Sequence, residues 1–133
     1  MKLCLTNLSH LDLNIYDFLS LILSIGCKNI ELSPSLLLKT SNNEKKNILN
    51  FINKNNIHFQ VFQSIFYNVK ISNLDRISIN YLCEHFKKII DLAKYFSVKK
   101  IAIGNVPSRT LISNYQNLYS INELLISKFL ELA

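Results

Sequence analysis

Short apolar segments alternate along this chain with longer segments of helical periodicity, and each apolar segment ends in polar residues. The apolar segments are rich in β-branched and aromatic residues, which favours strands at positions 2–6, 29–33, 57–63 and 100–104. A strand, a helix and a further strand in regular succession predict parallel pairing with right-handed crossovers. The sequence therefore predicts the order βαβαβαβα in a single domain over residues 1–133.

The predicted helices carry recognisable start and stop signals. The first spans positions 15–25 and is closed by Gly26. Ser41 and Glu44 have the spacing of a capping box before the second helix, and Ser120 and Glu123 repeat it before the fourth, at 124–132. The third has apolar residues at steps of three and four on one stripe: Ile79, Leu82, Cys83, Phe86, Ile89, Ile90 and Ala93.

These units correspond to (βα)₄, half of a TIM barrel with helices on its outer face, because a closed barrel usually needs about 250 residues. A doubly wound open sheet is the alternative, since four parallel units alone do not distinguish the two. In both architectures ligands bind at the carboxyl ends of the strands. The polar strand ends are therefore the candidate site.

The alternation of side chains along the second strand selects Glu31 as a site residue. Ile30 and Leu32 would pack under helices, whereas Glu31 and Ser33 point to the other face. A buried unpaired carboxylate is costly, so Glu31 predicts a solvated ligand cavity at the barrel mouth. The alternative is a strand-end carboxylate paired with a neighbouring amide.

The two arginines of the chain and one histidine are the remaining candidates. Arg76 and Arg109 are predicted in loops after strands, where a guanidinium suits a phosphate or carboxylate. The alternative is that both are ordinary surface residues. His10 follows the first strand and could act as an acid, base or ligand, although a lone histidine is more often a plain loop residue.

Composition narrows the class of protein. The formal net charge of +6 favours anionic partners in general. The cysteines Cys4, Cys27 and Cys83 form no metal-ligand spacing and are expected to be reduced, mostly buried thiols in a cytoplasmic protein without a membrane span. With two glycines the chain cannot form a GxGxxG motif or a P-loop, which argues against dinucleotide and nucleotide-triphosphate sites.

Three segments resemble those of sugar-phosphate isomerase/epimerase proteins of the xylose-isomerase-like TIM-barrel superfamily. They are Ile-Glu-Leu-Ser-Pro at 30–34, Phe-Gln-Ser-Ile-Phe-Tyr at 62–67 and Ile-Ala-Ile-Gly-Asn-Val-Pro-Ser-Arg at 101–109. The resemblance implies an enzyme of carbohydrate metabolism that moves a proton or hydride next to a sugar carbonyl. This chain would supply the N-terminal half, in which Glu31, Gln63, Ser64, Asn105 and Arg109 orient a sugar or sugar phosphate.

The resemblance also implies a divalent metal, such as Mg, Mn or Zn, in the complete barrel. Its ligands would come mostly from strands five to eight, and neither they nor the catalytic base can be located in this chain. Alone, the chain is expected to be weakly active or inactive, and to need a C-terminal half or a second copy.

Two other functions compete with the sugar enzyme. A non-catalytic half-barrel acting as a binding or interaction module is the main alternative. The same superfamily includes metal-dependent endonucleases that act at abasic sites in DNA. These place metal-binding histidines after the second to fourth strands, where this chain has other residues, so nucleic acid is not the expected partner.

Overall fold

The structure, a computed structural model, describes residues 4–10, 13–67, 69, 76–103 and 127–131, with only the backbone for 9, 10 and 76–78. Its strands are β1 (Cys4–Thr6), β2 (Asn29–Leu32) and β3 (His58–Phe62). Its helices are α1 (Ile15–Ser24), α2 (Ser35–Leu38), α3 (Asn42–Lys54) and α4 (Arg76–Tyr95), with a 3₁₀ turn at Asn7–His10 and a helical segment at 127–131.

The strands form a parallel sheet in the order β1-β2-β3, as predicted. A bulge beside Ile30 and Glu31 lets Gln60 stand out of register, so that Phe59 and Phe62 are both buried on one face. The predicted fourth strand is reduced, within the described residues, to one parallel bridge between Ile101 and Phe62. The backbone hydrogen bonds of Phe62 to Lys100 and Ala102, at 2.9 and 2.7 Å, place this segment next to β3.

The helix signals at Ser41 and Gly26 are confirmed, whereas Ser120 and Glu123 lie outside the described residues. The Ser41 hydroxyl accepts a hydrogen bond from the Glu44 N–H at 3.2 Å, and the Glu44 carboxylate accepts one from the Ser41 N–H at 2.7 Å. α1 ends at Gly26, whose φ of +70° favours glycine. The short helix α2 was not predicted. It follows Pro34, whose fixed φ suits a helix start.

The described helices pack against one face of the sheet. Ile30 and Leu32 of β2 are fully buried in a core cluster shared with apolar residues of α1, α3 and α4, while Glu31 between them is half-buried on the other face. Sequential strand order with helices on one face is the arrangement of half a TIM barrel. A doubly wound sheet would carry helices on both faces, so that alternative is wrong.

The cysteines differ in exposure. Cys27 is buried and Cys83 is half-buried, but Cys4 is exposed, so the expectation of a buried thiol is wrong there. Cys4 lies on β1, which has no strand on its outer side among the described residues. Among those residues, no helix has the length and apolar character needed to cross a membrane.

Candidate functional site

The open face of the sheet brings together side chains from all three strands. Thr6 of β1 stands in register with Glu31 of β2, which in turn stands beside Val61 of β3. Gln63, two residues after Val61, donates a hydrogen bond from Nε2 to Thr6 Oγ1 at 2.5 Å. Because this bond crosses β2, Glu31 and Gln63 lie on the same face, at the carboxyl end of the sheet.

Glu31 is half-buried and has a neighbouring thiol. Within the described residues its carboxylate takes part in no hydrogen bond or ion pair, so the amide-paired alternative is not seen there. Partial desolvation raises the pKa of the Cys4 thiol above its ordinary value even though the residue is largely exposed, and the charges of Glu31 and Cys27 raise it further. Glu31 therefore offers hydrogen-bond acceptors to a ligand, next to a thiol that stays protonated at neutral pH.

Thr6 anchors the Gln63 side chain. Its hydroxyl oxygen accepts a hydrogen bond from the Leu8 N–H at 3.2 Å as well as the one from Gln63. The Gln63 carboxamide has a carbonyl oxygen and a second N–H besides the bond to Thr6. With one end held, it can present either group to a ligand at a low cost in side-chain entropy.

Asn7 joins the ends of the first two strands. Its side chain is fully buried, and Oδ1 accepts a hydrogen bond from the Ser33 N–H at 2.8 Å. The Ser33 hydroxyl lies 3.0 Å from the Ser35 hydroxyl, at the start of α2. Asn7 Nδ2 is buried without a partner among the described residues. These contacts fix the rim of the sheet next to Glu31.

Ser64 turns the chain away from the sheet. It has a φ of +51°, in the left-handed region that a serine adopts only at a cost of the order of 1 kcal/mol. Its carbonyl accepts a hydrogen bond from the Tyr67 N–H at 2.8 Å, which forms the turn after β3. The Ser64 side chain is half-buried.

The other predicted site residues are only partly described. Arg76 is the first residue of α4, so its placement in a loop is wrong; the helix begins before the apolar stripe from which it was predicted. His10 ends the 3₁₀ turn after β1. The side chains of both lie outside the described residues, as do Asn105 and Arg109 entirely.

The remaining histidines are elsewhere. The His85 ring, on α4, lies with Nε2 2.7 Å from the Ile65 carbonyl oxygen and 5.7 Å from the Phe66 ring, so it ties α4 to the turn after β3. His58 begins β3 and is exposed at the opposite end of the sheet from Gln63. His85 therefore has a structural role, and His58 faces solvent.

A metal site is not formed by the described residues. Within them no group of three or more His, Cys, Asp or Glu side chains could hold a metal ion. On the open face, Glu31 carries the one carboxylate placed by the described strands, with the protonated Cys4 thiol beside it. These residues do not fit a metal centre by themselves, and no chemical step is assigned to one.

Sequence reasoning missed Thr6 and Cys4 as parts of this face. The period of two over residues 2–6 puts Lys2, Cys4 and Thr6 on one side and the apolar Leu3 and Leu5 on the other, a pattern that favours the first side as the open one. The register with Glu31 decides this, and register is a property of the assembled sheet.

Comparison with known proteins shows a similarity of fold to one solved structure. No protein-family model matches the chain, and no curated protein sequence matches it. Among solved structures it is similar to the probable 3-DHS dehydratase AsbF, involved in petrobactin synthesis, from Bacillus anthracis, with a TM-score of 0.55 and 20% sequence identity. The match covers 96% of this chain and 49% of that chain. This chain therefore has the fold of about half of that structure, with the parallel strands and outer helices of part of a TIM barrel.

Proposed function

We propose that this chain supplies the substrate-facing half of a barrel that isomerises or epimerises a sugar or sugar phosphate. The observation that carries the proposal is the half-buried Glu31 carboxylate, which has no partner among the described residues and lies on the same open face as the Thr6–Gln63 pair. A sugar offers many hydroxyl donors and acceptors, and this face offers a carboxylate, a carboxamide and a hydroxyl in return.

The proposed roles follow from the chemistry of each side chain. Glu31 would accept hydrogen bonds from two sugar hydroxyls, and the Gln63 carboxamide would bond a third while Thr6 holds it in place. Ser64 and Asn105 would add hydrogen bonds at the ends of the third and fourth strands. Arg76, Arg109 and His10 are proposed to attract a phosphate group.

Proton or hydride transfer is proposed to need residues beyond this half. In proteins that the sequence segments resemble, the residues that bind a divalent metal come mostly from strands five to eight. This chain's own part would be to bind and orient the sugar, and the chain alone is expected to have weak activity or none.

Binding by the purified chain tests the substrate-facing role. A panel of sugars and sugar phosphates is titrated by calorimetry against the wild type and Glu31→Gln. We expect at least one member to bind the wild type, and Glu31→Gln to weaken that binding about tenfold, since hydrogen bonds to a charged group contribute about 1.5–3 kcal/mol.

Glu84→Gln is the matched control, because Glu84 is exposed on α4 and pairs with Lys87 at 2.6 Å, away from the sheet. It should leave binding unchanged. Equal effects of Glu31→Gln and Glu84→Gln, or a panel in which nothing binds, would contradict the sugar site and favour the non-catalytic module.

The reaction itself is tested in a closed barrel, formed by this chain and a second half, with added Mg²⁺ or Mn²⁺. Glu31→Ala should lower the turnover of the sugar phosphate far more than it lowers thermal stability, because Glu31 does not belong to the hydrophobic core. Parallel losses of turnover and stability would show a purely structural role for this carboxylate.

A further inference from the structure

A basic cleft lies at the amino-terminal end of the sheet, the end opposite Gln63. It is formed by the last turns of α3 and α4, the first residues of β3 and residues 97–100, and its volume is about 480 Å³. Small-ligand sites usually have volumes of about 300–1,000 Å³. Lys99, Lys100 and His58 line the cleft, and all three are exposed. We call it the amino-end cleft.

The amino-end cleft carries positive charge without a counter-charge. The side chains of Lys99 and Lys100 form no hydrogen bond or ion pair with a described residue. No aspartate or glutamate is among the described residues that line the cleft. Charges of one sign in a concave surface reinforce each other, because the protein walls limit the water that would screen them. The cleft therefore attracts an anion.

The ends of the two helices do not need these lysines as hydrogen-bond donors. Each helix ends in a Schellman motif around a residue of positive φ, Asn56 at +52° after α3 and Ser97 at +57° after α4. The N–H groups of Ile57 and Val98 donate to carbonyl oxygens of the last turns at 2.9 and 2.8 Å. The backbone itself thus satisfies these carbonyl groups.

Other lysines already balance the helix dipoles. Lys54 and Lys94 lie in the last turns of α3 and α4, and Lys28 Nζ donates to the Asn55 carbonyl oxygen at 2.9 Å. A helix C-terminus carries about half a negative charge. Three ammonium groups exceed two such half-charges, so the two lysines of the cleft add positive charge that the helix ends do not require.

One wall of the amino-end cleft is aromatic. Tyr95, Phe96 and Phe59 all line it. The Tyr95 ring is 44% exposed and meets the buried Phe96 ring edge-on, with ring centroids 5.0 Å apart and planes at 75°. Phe96 in turn lies 5.5 Å from Phe59. These contacts hold Tyr95 from behind and leave part of its ring free to pack against a planar ring of a ligand.

We propose that the amino-end cleft binds an organic phosphate, a small molecule in which a phosphate group is joined to a planar ring. The phosphate lies between Lys99 and Lys100, and the ring packs against Tyr95. An enclosed volume with charge on one side and aromatic surface on another fits such a ligand better than it fits a flat anionic surface. The cleft lies at the other end of the sheet from Gln63, so the proposal does not depend on a sugar site there.

Calorimetry on the whole chain tests the proposal, with adenosine 5′-monophosphate as the probe and with adenosine and inorganic phosphate as its two halves. We expect the probe to bind about tenfold more tightly than either half, and added salt to weaken it. Lys99→Gln combined with Lys100→Gln should weaken the probe about tenfold. Tyr95→Leu should weaken the probe and leave the affinity for inorganic phosphate unchanged.

Lys46→Gln is the matched control, because Lys46 is exposed on α3 and does not line the cleft. It should leave binding unchanged, and circular dichroism should be the same for all variants. No binding of the probe, or equal losses in Lys46→Gln and the double lysine variant, would overturn the proposal.

Two further outcomes would also overturn it. Binding that is weakened by Glu31→Gln and not by the lysine variants would place the probe at the open face of the sheet. A single-stranded oligonucleotide that binds through Lys99 and Lys100, while the mononucleotide does not, would assign the cleft to a nucleic acid.

Discussion

At the scale of single residues, the site depends on one charge and on the hydrogen bonds that fix its surroundings. Glu31 stands in register with Thr6, and Thr6 holds Gln63 across the strand between them. Asn7 links β1 to the backbone of Ser33. The neighbouring donors are thus oriented by bonds within the protein, while the carboxylate itself has none among the described residues.

The charge of Glu31 can be detected through the reactivity of the neighbouring Cys4 thiol. Its carboxylate raises the pKa of Cys4, so Glu31→Gln should lower that pKa and increase the fraction of thiolate near pH 8. We expect alkylation of Cys4 to become about twofold faster, the order of effect of a solvent-screened charge. Mass spectrometry of the peptide that contains Cys4 follows the reaction.

Glu84→Gln is again the control, because Glu84 lies on α4 beside Lys87 and is not among the causes that shift the pKa of Cys4. An alkylation rate that is the same in the wild type and in Glu31→Gln would mean that Glu31 does not face Cys4. The proposed arrangement of the open face would then be incorrect.

At the scale of elements, local signals decide where helices begin and end. The box of Ser41 and Glu44 satisfies two backbone N–H groups at the start of α3. Gly26 ends α1 in a left-handed conformation, with nothing within 4 Å of the position a Cβ would occupy. Neither signal needs a distant residue, which is why both can be seen in the sequence.

The capping box is expected to contribute measurably to stability. Ser41→Ala should lower the free energy of unfolding in urea by about 1 kcal/mol, because the Glu44 N–H loses its acceptor. Ser20→Ala, at an exposed serine inside α1, should be neutral or slightly stabilising, since alanine has the higher helix propensity.

The pH dependence of stability tests the contribution of the Glu44 carboxylate to the capping box. The hydrogen bonds from the Ser41 backbone and side chain lower the pKa of the Glu44 carboxyl. Its contribution is therefore present above the ordinary glutamate pKa of about 4.3 and is lost as the pH falls through the lowered folded value. The thermal unfolding midpoints of the wild type and Glu44→Gln should converge below that pH. A difference between the two midpoints that does not change with pH would contradict a contribution from the Glu44 charge to the capping box.

At the scale of the whole molecule, one core joins the described elements. The core cluster includes Ile22 of α1, Ile48 of α3, Phe62 of β3 and Ile89 of α4, each 2% exposed or less. The short strands have no second core of their own among the described residues. The half-barrel is therefore expected to unfold as a unit rather than helix by helix.

Ile48→Val tests this cooperativity. It removes one buried methylene group from α3 and should lower the free energy of unfolding by about 0.5–1.5 kcal/mol. Helical circular dichroism and tyrosine fluorescence, measured at one protein concentration, should shift by the same amount. Separate transitions by the two probes, or a shift in one alone, would show that α3 unfolds independently.

The sequence by itself determined the three strands, the helices α1, α3 and α4, the parallel order of the strands and the choice of Glu31 and Gln63 as residues of the strand ends, but not the short helix α2. Each of these follows from spacing over a few residues or from the alternation of strands and helices. The roles of the candidate residues toward a ligand stay predictions.

Only the tertiary structure decided that the helices share one face, that Thr6 and Cys4 join Glu31 on the other, and that Asn7 is a buried link between strands. These properties depend on the register between strands far apart in the chain, and on the bulge that shifts Gln60. A shift of one residue in register would turn every side chain of a strand to the other face, and no pattern within a single strand specifies it fully.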